Sequence, residues 1–287
     1  MTPHQRMNQR NNTGQEGTPM NDQLLTDRTA VIYGAGAIGA ATARVFAREG
    51  ARVFLAGRTP ARLDAVAQGI AAEGGTVATA QLDVHDQQAV ERHAAQVAST
   101  EGGIDIVMNA VSVPHDQGTG LADLSVEAFL QPIDGFLRML FITSKAVAPH
   151  MGHERPGVIL TLSEPGAKLT APGILGHGVS AAGKEAFSRL LAAELAASNI
   201  RVVGIRPHAI IDAPAAGSYT GALFEQFAAA GGRSVQGFLT EELAQGTLLK
   251  RLPTLSEVAE MAAFLASDRA GSITGTVVNL SAGALVD

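Results

Sequence analysis

The sequence predicts a doubly wound α/β protein, a parallel seven-stranded sheet with helices on both faces. Three observations carry that expectation. Short runs rich in Val, Ile and Leu alternate along the chain with longer segments whose apolar residues recur at helical spacing. The short runs are mostly unbroken in their apolar character, as strands covered on both faces are. The first of them feeds a glycine-rich turn that opens a helix, the way parallel α/β units begin.

The elements follow in chain order. Residues 1–24 are rich in Asn, Gln, Thr and Gly, with almost no aliphatic residue before Leu24. Such a segment buries too little surface to offset its ordering entropy and reads as a disordered tail. It also lacks the apolar centre of a secretory signal, so a cytoplasmic location is expected. Residues 25–287 then form a single domain, with strands expected at Ala30–Tyr33, Arg52–Ala56, Val77–Gln81, Ile104–Met108, Val158–Leu162, Arg201–Ile205 and Thr276–Leu280. Helical spacing is plain in Ile38, Ala41, Val45 and Phe46, and again in Val179, Ala182, Ala186 and Leu190. From about residue 212 to 253 the alternation stops. Small residues, Tyr219, Phe224, Phe227 and Phe238 replace it, and the segment reads as a helical insertion on the substrate side, with a packing subdomain as the alternative.

Composition narrows the function. Of 287 residues, 46% are hydrophobic and 17% charged, 32 are glycine and none is cysteine. The lack of Cys excludes a disulfide framework, a thiolate metal site and a cysteine nucleophile, and no metal site is expected. The net charge of −6 gives no general attraction to phosphate backbones, so nucleic acid is not an expected partner. Every uncharged stretch falls short of the roughly 18 apolar residues a membrane span needs.

Gly34-Ala35-Gly36-Ala37-Ile38-Gly39 reads GxGxxG between the first strand and the first helix. Glycines there let the backbone approach a pyrophosphate, whose charge sits against the N–H groups and positive dipole of the helix start. This context points to a dinucleotide site of the Rossmann type formed by Gly34, Gly36, Ile38 and Gly39. An NAD site usually has a carboxylate about 20 residues on. This chain has Gly57 and then Arg58 there, leaving room and a guanidinium for a 2′-phosphate, so NADP(H) is favoured over NAD(H). A solvated Arg58 that merely opens the next helix is the plainer alternative.

Further landmarks, in order along residues 27–287, resemble the short-chain dehydrogenase/reductase family. Leu82-Asp83-Val84 looks like the family's Asp-Val, which implies that Asp83 binds the adenine amino group. Met108-Asn109-Ala110-Val111 resembles Asn-Asn-Ala-Gly, implying Asn109 beside the cofactor. The stretch Ile205-Arg206-Pro207-His208-Ala209-Ile210 stands where the family has its Pro-Gly turn, so Pro207 and the backbone of Ile210 would meet the nicotinamide carboxamide. Phe264-Leu265-Ala266-Ser267-Asp268 and Ile273-Thr274-Gly275 are close to the family's C-terminal pattern. The resemblance also implies a homodimer or homotetramer through the helices around Gly135–His150 and Val179–Ser198.

The departures concern the chemistry. The family's tetrad is Asn, Ser, Tyr and Lys. Phe136 stands at the Asn position, Ser163 is the candidate serine, with Glu164 unusual beside it, and YxxxK reads Ser180-Ala181-Ala182-Gly183-Lys184. Lys184 is retained and would hold the nicotinamide ribose. Ser180 is a poor acid, because carbonyl reduction needs a proton available near neutral pH. Divergent enoyl reductases of the family carry a Tyr seven residues before the Lys, and His177 stands there, two helical turns from Lys184 on the same face. An imidazole donates protons near neutral pH, although a neighbouring Lys and a helix start favour its neutral form. A loop-shaping His177 is the bland alternative, and Tyr219 and His208 are further polar candidates. Two readings result: an NADP(H)-dependent oxidoreductase of a small, apolar carbonyl or enone with an altered proton donor, or a non-redox catalyst or cofactor-sensing module that kept the nucleotide site.

Overall fold

The structure, a computed structural model, describes residues 23–287. Its centre is a seven-stranded parallel sheet in the order β3-β2-β1-β4-β5-β6-β7. The strands are β1 (Thr29–Tyr33), β2 (Arg52–Gly57), β3 (Thr76–Gln81), β4 (Ile106–Asn109), β5 (Gly157–Leu162), β6 (Ile200–Pro207) and β7 (Thr276–Leu280). Each lies within two residues of its predicted start and end. The helices that cover the sheet are α1 (Ala37–Arg48), α2 (Pro60–Ala72), α3 (Gln87–Glu101), α4 (Val126–Val147), α5 (Leu175–Leu195), α6 (Thr220–Ala230), the single turn α7 (Val235–Gly237) and α8 (Leu255–Ala266).

Because side chains alternate across a strand, consecutive residues of β1 serve different layers. Ile32 packs in one core with Phe46, Leu55, Met108 and Ile205, on the side covered by α1 and α8. Val31 and Tyr33 pack in the other with Val107, Leu140 and Ile159, on the side of α3, α4 and α5. This double coverage explains why β1 is buried along its whole length and shows no polar alternation. The edge strands depart from that pattern. β3 is mostly exposed and β7 only half-buried, in keeping with the Thr and Gln of one and the Thr and Asn of the other.

Three boundaries correct the sequence reading. Residues 1–22 lie outside the described part, but Gln23 and Leu24, assigned to the tail, belong to the fold. The Gln23 side chain donates to the Arg48 carbonyl, the Leu24 N–H donates to Glu49, and Leu25 is fully buried. Helix α4 starts at Val126 rather than near Gly135, capped by Ser125, which accepts from the Ala128 N–H. Helix α5 starts at Leu175, so His177 sits in its first turn. Strand order reverses between β1 and β4, and the C-terminal ends of the strands at that switch point form the crevice in which doubly wound sheets bind ligands. The 212–253 stretch contains α6, α7 and a π-helical segment Phe238–Leu243, joined by its own small apolar cluster of Phe224, Phe238, Leu239 and Leu252.

Candidate active site

The turn from β1 to α1 is held by close backbone approach. Gly34 has φ of +110°, and a Cβ there would lie 2.5 Å from the Ala110 carbonyl oxygen. A Cβ on Gly39 would lie 1.8 Å from the Gly34 carbonyl oxygen. Gly36 differs: it is the N-cap of α1, no side chain caps the helix, and a Cβ there would meet only the Ser112 hydroxyl at 3.8 Å. Open space over the start of α1 is a cradle that a dinucleotide's diphosphate fits.

From Gly36 a cavity of about 410 Å³ runs across the C-terminal edge of the sheet. It brings together Gly36, Ile38, Asn109, Ser163, His177 and Lys184, and also Pro207 and Ile210. Asn109 is buried; its Oδ1 accepts from Thr143 at 2.9 Å, while its Nδ2 has no partner, a donor left for a ligand. Arg58 and Asp83 lie outside this cavity, past the ends of β2 and β3. Asp83 accepts from the backbone N–H of His85 and from its ring, and these bonds, with the charge of Arg58 nearby, hold its carboxyl below the usual range.

Around Lys184 the side chains differ from the expectation. The ammonium is buried, donates to Glu164 Oε2 and lies 4.0 Å from the centre of the Phe136 ring. Phe136 therefore presents a π face to the lysine. Glu164 is the residue the sequence reading passed over. Glu164 lies past the end of β5 with extended backbone, φ −146° and ψ 165°, and its side chain and that of Ser163 take different partners. Glu164 meets Lys184. Ser163 turns instead to Glu185, which accepts its hydroxyl at 2.8 Å and lies 3.5 Å from the buried Arg206. Arg206 in turn pairs with Asp287. Ser163 thus lines the cavity with its hydroxyl already committed.

Ser180 requires a second correction. It shares a helix face with His177 and Lys184, yet its hydroxyl donates to the His177 carbonyl at 2.8 Å, it is wholly buried, and it does not line the cavity. A serine hydroxyl in a helix readily bonds back to the preceding turn. His177 does reach the cavity. Burial lowers its pKa to about 4, the opposing pull of Glu164 notwithstanding, so it is neutral near pH 7 and holds no spare proton to donate.

His177 has partners that sequence spacing could not disclose. His115, in the loop after β4, places Nδ1 2.6 Å from the Val113 carbonyl and Nε2 2.9 Å from His177 Nδ1, with the two rings stacked. Gln117 lies 3.2 Å from both imidazoles. A carbonyl only accepts, so His115 donates from Nδ1, and a hydrogen bond joins its Nε2 to His177 Nδ1. Tyr219 enters from the insertion beside His115, and burial, followed by the charge of Glu164, raises its phenol pKa. His208 also lines the cavity, with burial pushing its imidazole pKa down. Among the described residues, no three His, Asp or Glu side chains are grouped to hold a metal, and no helix is long and apolar enough to cross a membrane.

Comparison with known proteins agrees with this fold. Residues 34–284 match the family model described as enoyl-(acyl carrier protein) reductase. The chain is 33% identical to the oxidoreductase UcpA of Salmonella typhimurium, across 88% of its own length and 92% of the relative. It is 29% identical to dehydrogenase/reductase SDR family member 4 of Oryctolagus cuniculus, across 93% and 97%. Among solved structures, a short-chain type dehydrogenase/reductase from Mycobacterium ulcerans superposes with a TM-score of 0.79 at 25% identity, covering 91% of this chain and 90% of that one. Carveol dehydrogenase from Mycobacterium avium, solved in complex with NAD, shares the fold with a TM-score of 0.84 at 23% identity, across 92% and 100%. With its glycine turn, its lysine at the cavity wall and this extent of likeness, the chain belongs to the short-chain dehydrogenase/reductase family of oxidoreductases.

Proposed function

We propose that the protein is an NADP(H)-dependent oxidoreductase of a small, largely apolar carbonyl compound or enone, working with an altered proton-transfer group. The observation that carries this reading is continuity: one cavity joins the open side of Gly36 to Asn109, to Lys184 and to the apolar wall of Leu223, Phe224 and Phe227. A nicotinamide dinucleotide, when bound, supplies or accepts the hydride.

The chain's own residues hold and surround it. The start of α1 offers N–H groups and a positive dipole end to the diphosphate, with Gly36 giving no side chain in the way. Arg58 offers a guanidinium to a 2′-phosphate, and Asp83 an acceptor to the adenine. Asn109 supports the ring end with its unpaired amide. Lys184 spends one donor on Glu164 and keeps two for the ribose hydroxyls. Backbone at Pro207 and Ile210 faces the carboxamide. The aromatic side chains from the insertion exclude water and favour an apolar substrate. Assembly as a homodimer or homotetramer on α4 and α5 completes the proposal.

One observation favours a second reading, nucleotide binding without net redox turnover: Ser163 and Ser180 have committed hydroxyls, and Lys184 is engaged by a carboxylate. Calorimetry with NADPH and NADH, followed by a panel of ketones and enones monitored through the absorbance of the reduced coenzyme, separates the two. Saturable NADPH binding with turnover is expected. Binding without turnover across the panel and in the reverse direction gives the second reading, and no heat with either coenzyme removes both.

A further inference from the structure

We propose that Glu164 is the group that exchanges a proton with the substrate oxygen as a secondary alcohol and its ketone interconvert. This rests on the oxidoreductase reading and names its altered proton-transfer group.

The first argument is elimination by committed atoms. Ser163 donates to Glu185, and Ser180 donates to the backbone of its own helix. His177 Nδ1 is hydrogen-bonded to His115, while its Nε2 edge lies against Gly166, where a Cβ would come within 2.5 Å of that nitrogen. His115 is tied at Nδ1 by the Val113 carbonyl. Tyr219 is held protonated by burial. Glu164 is the one carboxyl group among the described residues that line the cavity, and a carboxyl exchanges protons near neutral pH far more readily than a hydroxyl does.

The second argument is the unmet valence of Glu164 itself. Lys184 holds Oε2, but Oε1 is buried and has no hydrogen-bond partner; His177 Nδ1 is 3.8 Å away and hydrogen-bonded to His115 instead. A buried carboxylate oxygen without a donor is unfavourable, so the site is completed by a ligand that donates. The terminal carboxyl torsion of Glu is broad, which lets either oxygen turn to the cavity while the other keeps Lys184. An alcohol O–H meets that requirement.

The step balances as follows. The O–H bond of the alcohol breaks and its proton passes to Glu164. The carbinol C–H bond breaks with its electron pair, which leaves as hydride to the oxidised nicotinamide ring. The oxygen lone pair forms the C=O bond, so the alcohol is oxidised by two electrons and the coenzyme reduced by two. In the reverse direction the Glu164 carboxylic acid protonates the carbonyl oxygen. The charged and titratable groups facing Glu164 are Lys184 and His177 from α5 and Tyr219 from the segment before α6, with His115 from the loop after β4 bonded to His177.

The test uses the full chain with NADP⁺ and alicyclic, benzylic and long-chain secondary alcohols, for example cyclohexanol, 1-phenylethanol and 2-octanol, alongside cyclohexenone as the enone. The wild type is expected to oxidise at least one alcohol. Glu164→Gln should lower kcat by roughly a hundredfold or more, leave coenzyme affinity within about twofold, and abolish the acid limb of the kcat/KM profile, with partial recovery in Glu164→Asp. A readout free of substrate and coenzyme accompanies it: in ¹⁵N-histidine spectra, Glu164→Gln should lower the titration midpoint of His177, because the carboxylate's charge favours the imidazolium. The inference is overturned if coenzyme binds and only the enone turns over, if no alcohol is oxidised, if Glu164→Gln keeps its rate and acid limb, or if the His177 midpoint does not move. Absence of coenzyme binding, by contrast, removes the oxidoreductase reading beneath it.

Discussion

At the scale of single residues, the site is a matter of which polar atoms are already bonded. Lys184 and Glu164 form a pair at the cavity wall, and the two serines that motif comparison suggested have given their hydroxyls to Glu185 and to backbone. Arg58 is different in kind, because it lies exposed beyond the cavity. A charge-assisted contact from it to a 2′-phosphate would contribute about 1.5–3 kcal/mol, reduced by solvent screening. Arg58→Ala should therefore weaken NADPH about tenfold and leave NADH nearly unchanged in calorimetry, with the difference shrinking as salt is raised; equal losses for both coenzymes would defeat the assignment. Lys184, Asn109 and His177 were legible as cavity residues because motif position fixes them on β4 and α5. His115 and Gln117 were not, since nothing local marks a loop residue that bonds to another about 60 positions away.

At the scale of elements, the β1–α1 turn separates two uses of glycine. Gly39 is required by packing, and Gly36 faces open space. Gly39→Ala should destabilise the fold by roughly 1–3 kcal/mol or more through overpacking against the Gly34 carbonyl, visible as a lowered Tm. Gly36→Ala should leave the Tm within about a degree, because its Cβ is accommodated and its φ of −75° suits any residue, yet reduce coenzyme affinity at least about tenfold by intruding on the diphosphate. A Gly36→Ala protein that binds NADPH normally would place the nucleotide elsewhere. The end of β5 shows what a motif reading leaves open. Motif position pointed to Ser163, with Glu164 only unusual beside it, but the packing of α5 pairs Glu164 with Lys184 and Ser163 with Glu185.

At the scale of the whole molecule, α4 and α5 carry an apolar surface that a monomer would leave to water. Phe141 and Leu190 are 56% and 63% exposed, and they border a groove with Phe187 and Leu191. If the proposed homo-oligomer uses this face, Leu190→Glu should shift the mass measured by light scattering to that of one chain, while a wild-type mass would move the interface elsewhere. By itself the sequence determined the order and type of the strands, the double coverage of the sheet and the glycine cradle, because these depend on periodicities of a few residues and on backbone sterics that neighbours in the chain impose. Only the tertiary structure decided which side chains meet at the cavity. Glu164 with Lys184, and His115 with His177, are pairs joined across different loops and helices, and whether a hydroxyl or imidazole is free to act depends on bonds made by residues distant in the chain.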